Sequence, residues 1–301
     1  MLEHPSTYSR GPPISATYLI GVNLRLPLRI IKLPQELFDI IIDNLNDCPR
    51  TLHNCALVCR SWVHLSRRHL FRRIVLYPPS RRGLSHCWRL HSLLLRSPHI
   101  ATYIQELKVY EGQEEKREAW IGSDQTLPLV MGLLRDLTKI EFRRLEWSIL
   151  PQDLRQSICR VLELPSMTSL EIERSDFASM SDFASLLSHA EGLTSLSLIG
   201  VSTNRFLEHG AVGEGQGVRS NHRRRHLLDL RLYLMGYSGT GFSVFVDWLL
   251  GPQSSLEVSH IRTLHIPQYG QSDAHVVNKL LHAIGSSLRH FKLSEPYLWS
   301  K

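Results

Sequence analysis

Eight short segments in which apolar and polar residues alternate recur along most of the chain, and they constrain the fold more than any other feature. The segments are RRIVLY (72–77), IQELKVY (104–110), LTKIEF (137–142), MTSLEI (167–172), LTSLSLIG (193–200), LLDLRLY (227–233), IRTLHI (261–266) and LRHFKL (288–293). A period of two predicts β-strands, because successive side chains of a strand point to opposite faces.

The segments recur at a loose but recognisable period. Their central apolar residues lie 33, 30, 26, 34, 34 and 27 residues apart in the order Leu107, Ile140, Leu170, Leu196, Leu230, Leu264 and Phe291. Stretches with helical potential lie between most of them, at 127–137, 151–162, 180–192, 242–251 and 273–285.

A strand followed by a helix at a near-constant period is typical of a solenoid, in which each unit buries its apolar face on its neighbours. We therefore predict an α/β protein whose larger part is a leucine-rich-repeat-like strand–helix solenoid. The asparagine ladder of the leucine-rich repeat is missing, so an α/β sandwich with parallel strands is the alternative.

The region before the first alternating segment has a helical pattern instead. Leu33-Pro34 interrupts the chain, and proline fits well in a first helical turn. Apolar residues follow at helical spacing, opposite an acidic face formed by Glu36, Asp39, Asp43 and Asp47. A second helix at 51–57 and a third around Trp62 complete a unit of three short helices, which is too small to be very stable alone.

Residues 33–74 resemble the F-box, a family of short helical docking modules. Members typically show Leu-Pro, a Glu, an aliphatic run ending in Leu, a turn, and then Leu-Val-Cys-Arg-x-Trp. The corresponding positions here are Leu33, Pro34, Glu36, Ile40, Leu45, Leu57, Val58, Cys59, Arg60 and Trp62. The turn after Leu45 is slightly longer and more polar than is common, and fungal members with degenerate leucine-rich repeats are similar to the chain as a whole.

The resemblance implies a substrate-receptor subunit of an SCF-type ubiquitin ligase, not an enzyme. The F-box would dock on a Skp-type adaptor of a cullin–RING ligase, and the C-terminal domain would hold a protein substrate for ubiquitination. The residues that we predict to bind the adaptor are Leu33, Pro34, Glu36, Ile40, Leu45, Leu57, Val58 and Trp62. Some of them must form the module's own core, and Trp62 fits either role because buried tryptophan serves both.

These patterns divide the chain into three predicted parts. Residues 1–30 are expected to form a flexible leader and residues 31–74 the F-box. Residues 75–301 are expected to form the leucine-rich-repeat-like substrate-binding domain, with a mobile basic loop near 202–226 that is rich in glycine and arginine.

The net charge of +7 is concentrated in one region. From Cys48 to Gln105 the chain has ten arginines and no acidic residue, which leaves 25 basic against 28 acidic residues elsewhere. One positive face could contact acidic or phosphorylated partners. Nucleic-acid binding and a scaffold without a ligase role are the alternatives, but aromatic residues are not interleaved with the arginines as stacking platforms.

Several other classes of protein find little support in the sequence. The five cysteines are few and odd in number, without a C-x-x-C pair, so we expect reduced and mostly buried thiols. His222 and His226 are separated by three arginines that would repel a cation, so we expect no metal, and we expect no cofactor. No apolar run is long enough to cross a membrane and no signal peptide is recognisable, so we expect a cytoplasmic or nuclear location.

Overall fold

The computed structural model describes residues 34–79, 85–112, 120–203, 225–234, 241–267 and 273–294. Three sequence-based predictions therefore fall outside the described residues. They are the flexible leader at 1–30, the role of Leu33, and most of the basic loop, at 204–224.

The first described region is a unit of three helices, as predicted. They are α1 (Gln35–Asp43), α2 (Pro49–Val58) and α3 (Arg60–Arg72). The prediction placed the start of α2 at Thr51, but the helix begins two residues earlier, with Cys48 at the N-cap and Pro49 in the first turn. Proline suits that position because its fixed φ matches the helix and its missing N–H would have no intrahelical partner.

The core of this unit is small. Ile42, Leu52 and Cys55 are buried, and partly buried side chains pack around them from Leu45, Trp62, Leu65 and Leu70. A cluster of this size gives little independent stability, so the helices depend on what they contact. Asp43 of α1 is 2.7 Å from Nε2 of His69 on α3, which joins the first and third helices.

The third helix continues directly into the sheet. Strand β1 (Arg73–Leu76) starts at the residue after α3 ends, and Gln105 donates its backbone N–H to the carbonyl oxygen of Arg72 at 2.9 Å. His64 of α3 also stacks edge-on against Tyr103, with ring centroids 5.4 Å apart. The helical unit is thus attached to the first repeat without an intervening linker.

The remaining strands are short and, wherever they pair, parallel. They are β2 (Glu106–Tyr110), β3 (Lys139–Arg143), β4 (Ser169–Glu173), β5 (Asp176–Phe177), β6 (Ser195–Thr203), β7 (Arg225–His226), β8 (Asp229–Leu234), β9 (Leu256–Glu257), β10 (Thr263–Ile266) and β11 (His290–Leu293). The main sheet has the order β1-β2-β3-β4-β6-β8-β10-β11, with β5 paired to β6, while β7 and β9 form a second, two-stranded sheet. Because neighbours in the sheet follow chain order, the solenoid-like α/β prediction is confirmed over the sandwich.

The helices that connect the strands are α4 (His86–Arg96), α5 (Trp120–Ser123), α6 (Leu127–Leu133), α7 (Gln152–Leu162), α8 (Met180–Ser188), α9 (Gly241–Leu250) and α10 (Ala274–Ile284). Three of the five predicted helical stretches, 151–162, 242–251 and 273–285, match to within one residue. The other two begin as predicted but end four residues early, α8 at Ser188 and α6 at Leu133, after which Leu134 is already extended. Leu134 and Leu137 are buried beyond the helix, so the chain leaves it early to bring both side chains into the core. None of the described helices is both long and apolar enough to span a membrane.

The predicted central residues of the strands form one continuous row. Ile74 pairs in register with Leu107, and the row continues through Ile140, Leu170, Leu196, Leu230, Leu264 and Phe291. From Leu107 to Leu264 each of these side chains is at most 1% exposed. The buried residues of this row belong to one continuous apolar core between the sheet and the helices.

A ladder of backbone hydrogen bonds precedes the strands and joins each repeat to the one before it. Thr168 donates its N–H to the carbonyl oxygen of Thr138 at 3.0 Å, and Thr194 donates to Thr168 at 2.9 Å. The hydroxyl groups of Thr168 and Thr194 donate to the same carbonyl oxygens at 3.3 Å. Leu228, Arg262 and Arg289 extend the backbone ladder to the last repeat.

A sharp corner follows three consecutive strands at the same register. Arg144, Arg174 and Gly200 have φ angles of 62°, 50° and 64°. They directly follow Arg143, Glu173 and Ile199, which are aligned in register on β3, β4 and β6. Arginine rarely adopts left-handed φ, at a cost of order 1 kcal/mol. Arg144 and Arg174 each donate a backbone N–H to the next strand at 2.7 Å, which holds the corner in place.

Gly192 lies where the chain before β6 passes close to the previous repeat, and it offers a test of this packing. A Cβ at Gly192 would lie 2.7 Å from the carbonyl oxygen of Met167, whereas a Cβ at Gly132 in α6 would meet nothing within 4 Å. We expect Gly192→Ala to lower the free energy of unfolding by about 1–3 kcal/mol through overpacking. Gly132→Ala, the control, should leave it unchanged or raise it by up to about 1 kcal/mol. Urea unfolding of both variants measures this, and equal stabilities would contradict the close approach.

Candidate partner-binding surfaces

Two stretches of exposed apolar side chains lie on the three-helix unit. On α1, Leu37, Ile40 and Ile41 are 44%, 56% and 42% exposed. At the end of α2, Leu57 and Val58 are 75% and 66% exposed. We call these five residues the exposed apolar residues of α1 and α2. Large apolar side chains left in water are typical of a surface that binds another protein.

Helix α1 is apolar on two faces, which explains this exposure. Phe38 and Ile42, at i and i+4, face the inside of the unit, where Ile42 is fully buried and Phe38 contacts the Trp62 ring. Leu45, in the turn just after the helix, packs against the same core. Leu37, Ile40 and Ile41 occupy a different face of the helix. The first face is covered within the unit, and the second has room for a partner.

The structure distributes the eight predicted adaptor-binding residues between surface and core. Pro34, Glu36, Ile40, Leu57 and Val58 are exposed. Leu45 and Trp62 are partly buried and pack against the core of the unit, with the Trp62 ring 5.7 Å from that of Phe38. Leu33 lies outside the described residues. The assignment of these eight residues to the adaptor interface remains a prediction.

The predicted interface does not include two exposed apolar residues of α1. Leu37 and Ile41 lie on the same face of α1 as Ile40, and their i, i+3, i+4 spacing was visible in the sequence. What the sequence did not show was that Ile42, one residue further on, supplies the buried anchor.

The cysteines differ in part from the expectation of buried thiols. All five are free, but Cys48 and Cys59 are exposed, on the short connections that flank α2. Cys59 was expected to be a packed small residue, and it lies instead at an extended position between α2 and α3. Burial raises the pKa of the Cys87 thiol to about 12, so this thiol stays protonated at neutral pH.

The second candidate surface is the face of the main sheet opposite the helices, which we call the exposed sheet face. Alternation along the strands places one residue in two on this face, while the others enter the apolar core. Its side chains, from β1 to β11, come from Arg73, Val75, Glu106, Lys108, Tyr110, Lys139, Glu141, Arg143, Ser169, Glu171, Glu173, Ser195, Ser197, Ile199, Asp229, Arg231, Tyr233, Thr263, His265, His290 and Lys292.

In the first four repeats the charges on this face are paired across neighbouring strands. Arg73 Nε is 2.6 Å from Glu106, Lys139 Nζ is 2.7 Å from Glu171, and Arg143 is 3.1 Å from Glu173. Lys108 pairs in the same way with Glu141. Opposite charges on adjacent strands stabilise the pairing and neutralise this part of the face.

One of these pairs lowers the pKa of Glu106. Burial disfavours its ionisation, but the hydrogen bond from Arg73 and the charge of that guanidinium outweigh burial and hold the pKa below its ordinary value. The same contact raises the pKa of Arg73. Both groups are therefore charged over the physiological range.

Glu141 is the most enclosed carboxylate of the face. It is only 4% exposed, accepts a hydrogen bond from the Tyr110 hydroxyl at 2.9 Å, and pairs with Lys108. Burial, and then the bond to Glu141, raise the pKa of Tyr110 to about 12. Arg143 lies over the Tyr110 ring, 5.7 Å from its centroid, and completes a small polar network that fixes these side chains.

The last three strands of the face have a different charge pattern. Arg231, His265 and Lys292 are aligned in register on β8, β10 and β11, and we call them the basic end. Arg231 and Lys292 are exposed, and neither forms an ion pair with another described residue. Burial and the two neighbouring charges lower the pKa of His265. Its Nε2 atom is enclosed and finds no hydrogen-bond partner within the described part of the chain.

Comparison with known proteins identifies the helical unit. A family model described as F-box-like matches residues 30–77, a range that includes α1, α2, α3 and β1. No curated protein matches the chain. The chain thus contains an F-box-like domain, which supports binding to a Skp-type adaptor of SCF-type ligases, and F-box proteins are generally non-catalytic adaptors. The fungal type and the degenerate leucine-rich repeats remain predictions.

The network around Glu141 can be tested through Tyr110. We expect Glu141→Gln to lower the pKa of Tyr110 from about 12, because the hydrogen bond to a carboxylate and its negative charge are both lost. The pKa should stay above the ordinary 10.0 because burial, the larger cause, remains. An NMR titration of ¹³C-labelled tyrosine, assigned with Tyr110→Phe, measures this. Glu171→Gln is the matched control, since Glu171 pairs with Lys139 instead, and an unchanged pKa in Glu141→Gln would contradict the network.

Proposed function

We propose that this F-box protein is the substrate-receptor subunit of an SCF-type cullin–RING ubiquitin ligase. Its F-box docks on a Skp-type adaptor, and its solenoid presents a protein substrate for ubiquitination. The observation that carries the proposal is the set of exposed apolar residues of α1 and α2, within the region that matches the F-box-like model.

Docking through these residues has a clear driving force. Each of the five is at least 42% exposed, and fully burying a large aliphatic side chain contributes about 1.5–3 kcal/mol relative to full exposure. Short helices with one covered and one uncovered apolar face suit a groove on a partner, as in helix-in-groove recognition. The partner would also supply the stability that a core of three buried residues does not.

The receptor role requires no chemistry from this chain. A bound substrate is held near a charged ubiquitin-conjugating enzyme, so that ubiquitin transfer becomes effectively intramolecular. Helix α3 continues directly into β1, so no flexible linker separates the docking helices from the solenoid. This supports the role, because a substrate on the solenoid would be held at a fixed position relative to the adaptor.

We infer that the basic end of the exposed sheet face contacts the substrate. On the earlier strands, basic and acidic side chains pair with one another. Arg231 and Lys292, by contrast, are exposed and pair with no described acidic residue. Positive side chains at regular strand spacing, beside the enclosed His265 ring, are complementary to an acidic or phosphorylated segment. Nucleic acid has the same charge, so a test of this surface must separate the two.

A pull-down with a purified Skp-type adaptor tests the docking proposal. The full chain should bind, and a version lacking residues 31–74 should not. Because that deletion also removes the start of β1, a double substitution, Leu57→Ser with Val58→Ser, gives the sharper test. We expect it to weaken binding at least about 10-fold through lost apolar burial, with an unchanged thermal unfolding curve because both side chains are exposed.

Leu95→Ser is the matched control, because Leu95 is 61% exposed on α4, outside the F-box-like region. It should bind the adaptor as the unsubstituted chain does. Failure of the folded full chain to bind would exclude the receptor role and favour a scaffold.

Charge reversal tests the substrate surface. Arg231→Glu with Lys292→Glu should weaken binding of a fluorescent oligoglutamate peptide at least about 10-fold, since each lost charge contact contributes on the order of 1 kcal/mol. Fluorescence anisotropy at low salt measures the affinity. Arg96→Glu with Arg135→Glu makes the same charge change at exposed positions away from the sheet face and should have little effect.

The same titration with single-stranded RNA separates the alternatives. Tighter binding of RNA than of the peptide, lost in the same double variant, would contradict a protein substrate at this surface and favour nucleic-acid binding. If the double variant binds RNA as tightly as the unsubstituted chain, the RNA binds elsewhere on the chain. The loss or retention of peptide binding would then decide whether the basic end contacts an acidic substrate.

A further inference from the structure

We infer that His226, Glu257 and His260 form a binding site for a divalent transition-metal ion, of which Zn²⁺ is the best match. One ligand atom from each residue lies within 4.8 Å of the other two. The site lies in the small two-stranded sheet, separate from both the F-box helices and the exposed sheet face. This proposal departs from the sequence-based expectation that the chain binds no metal.

The small sheet brings the first two ligands together. Strands β7 and β9 pair in parallel, with His226 directly opposite Glu257. Backbone bonds fix the register, from Arg225 N–H to Ser255 at 2.9 Å and from Leu227 N–H to Glu257 at 3.0 Å. Paired residues of a sheet project to the same side, and Nδ1 of His226 lies 3.2 Å from Oε2 of Glu257.

A turn after β9 supplies the third ligand. Ile261 donates its N–H to the carbonyl oxygen of Val258 at 3.0 Å, and both of these side chains are buried. The turn leaves Ser259 and His260 exposed between the two buried anchors. The ring centroid of His260 lies 4.1 Å from that of His226, so the two imidazoles stand next to each other at the surface.

Two described contacts beside the three ligands are compatible with a bound cation. Ser259 donates its hydroxyl to Oε1 of Glu257 at 2.8 Å, which orients the carboxylate and leaves Oε2 toward His226. Arg225 adjoins His226 in the chain, but its guanidinium donates to the carbonyl oxygens of Leu187 and Ser188 at 3.1 and 2.8 Å, at the end of α8. Its charge is thus directed away from the site.

Two histidines and one carboxylate are a ligand set that Zn²⁺ accepts, with a fourth position for water. Ligand atoms around a tetrahedral zinc ion, at about 2.1 Å from it, lie roughly 3.4 Å from one another. The 3.2 Å between His226 and Glu257 already fits, and rotation of the exposed His260 side chain can bring the third ligand to that distance. A hard ion such as Mg²⁺ would prefer oxygen ligands.

A bound ion would connect two elements that are weakly joined without it. Strands β7 and β9 are two residues long each, and their ladder is correspondingly short. Coordination by one residue of each strand and one of the following turn would stabilise this sheet. Binding energy of this kind adds to the stability of the folded chain.

Titration of the reduced, untagged full chain with ZnCl₂ in a calorimeter tests the site. We expect one equivalent to bind, with affinity weakened at least about 10-fold in His226→Ala, in His260→Ala and in Glu257→Gln. His282→Ala is the matched control, an exposed histidine on α10, and should bind as the unsubstituted chain does. Circular dichroism melting shows that each variant is folded.

Titration with CoCl₂ separates this site from the exposed thiols of Cys48 and Cys59. Visible d–d bands without a near-ultraviolet thiolate-to-cobalt band are expected. Absence of zinc binding by the folded chain would overturn the inference, and so would a thiolate band accounting for the bound equivalent. Undiminished binding by a double variant, His226→Ala with His260→Ala, would overturn it as well.

Discussion

The fold depends on one constraint, the in-register parallel pairing that aligns a buried aliphatic residue of each repeat from Leu107 to Leu264. Leu107, Ile140 and Leu196 belong to this row, and each is at most 1% exposed. A slip of one residue would turn every side chain of a strand to the opposite face, so burial of the row specifies the register strongly. The ladder of backbone hydrogen bonds ahead of the strands supports the same alignment, because the residue before each of these strands donates its N–H to the previous repeat.

The exposed sheet face follows from this alignment. Since one strand residue in two enters the core, the others form an exposed face whose charges pair or accumulate according to what neighbouring repeats carry. The early repeats alternate acidic and basic residues and become neutral, while the last three strands place Arg231, His265 and Lys292 side by side. The F-box-like helices precede β1, at the opposite end of the strand order from the basic end.

Much of this architecture was predictable from the sequence, because it depends on local periodicity. The eight strands in the order of the main sheet, three of the helices and the starts of two more follow from alternation and spacing, and the F-box follows from a contiguous motif. The early end of α6 was not predictable, since burial of Leu134 outweighs the helical pattern. The grouping of His226 with Glu257 and His260 was hidden too, because about thirty residues of chain separate ligands that only strand pairing brings together.

The chain-order sheet has a consequence for how such a protein can change over evolution. Each strand contacts only its immediate neighbours, so duplication or loss of one strand–helix unit in the middle of the sheet leaves the contacts at both ends intact. Each such event would move the basic end by about 4.8 Å relative to the F-box helices. Under the proposed receptor role, the distance between a bound substrate and the adaptor can therefore be altered in discrete steps, without redesign of either terminal surface.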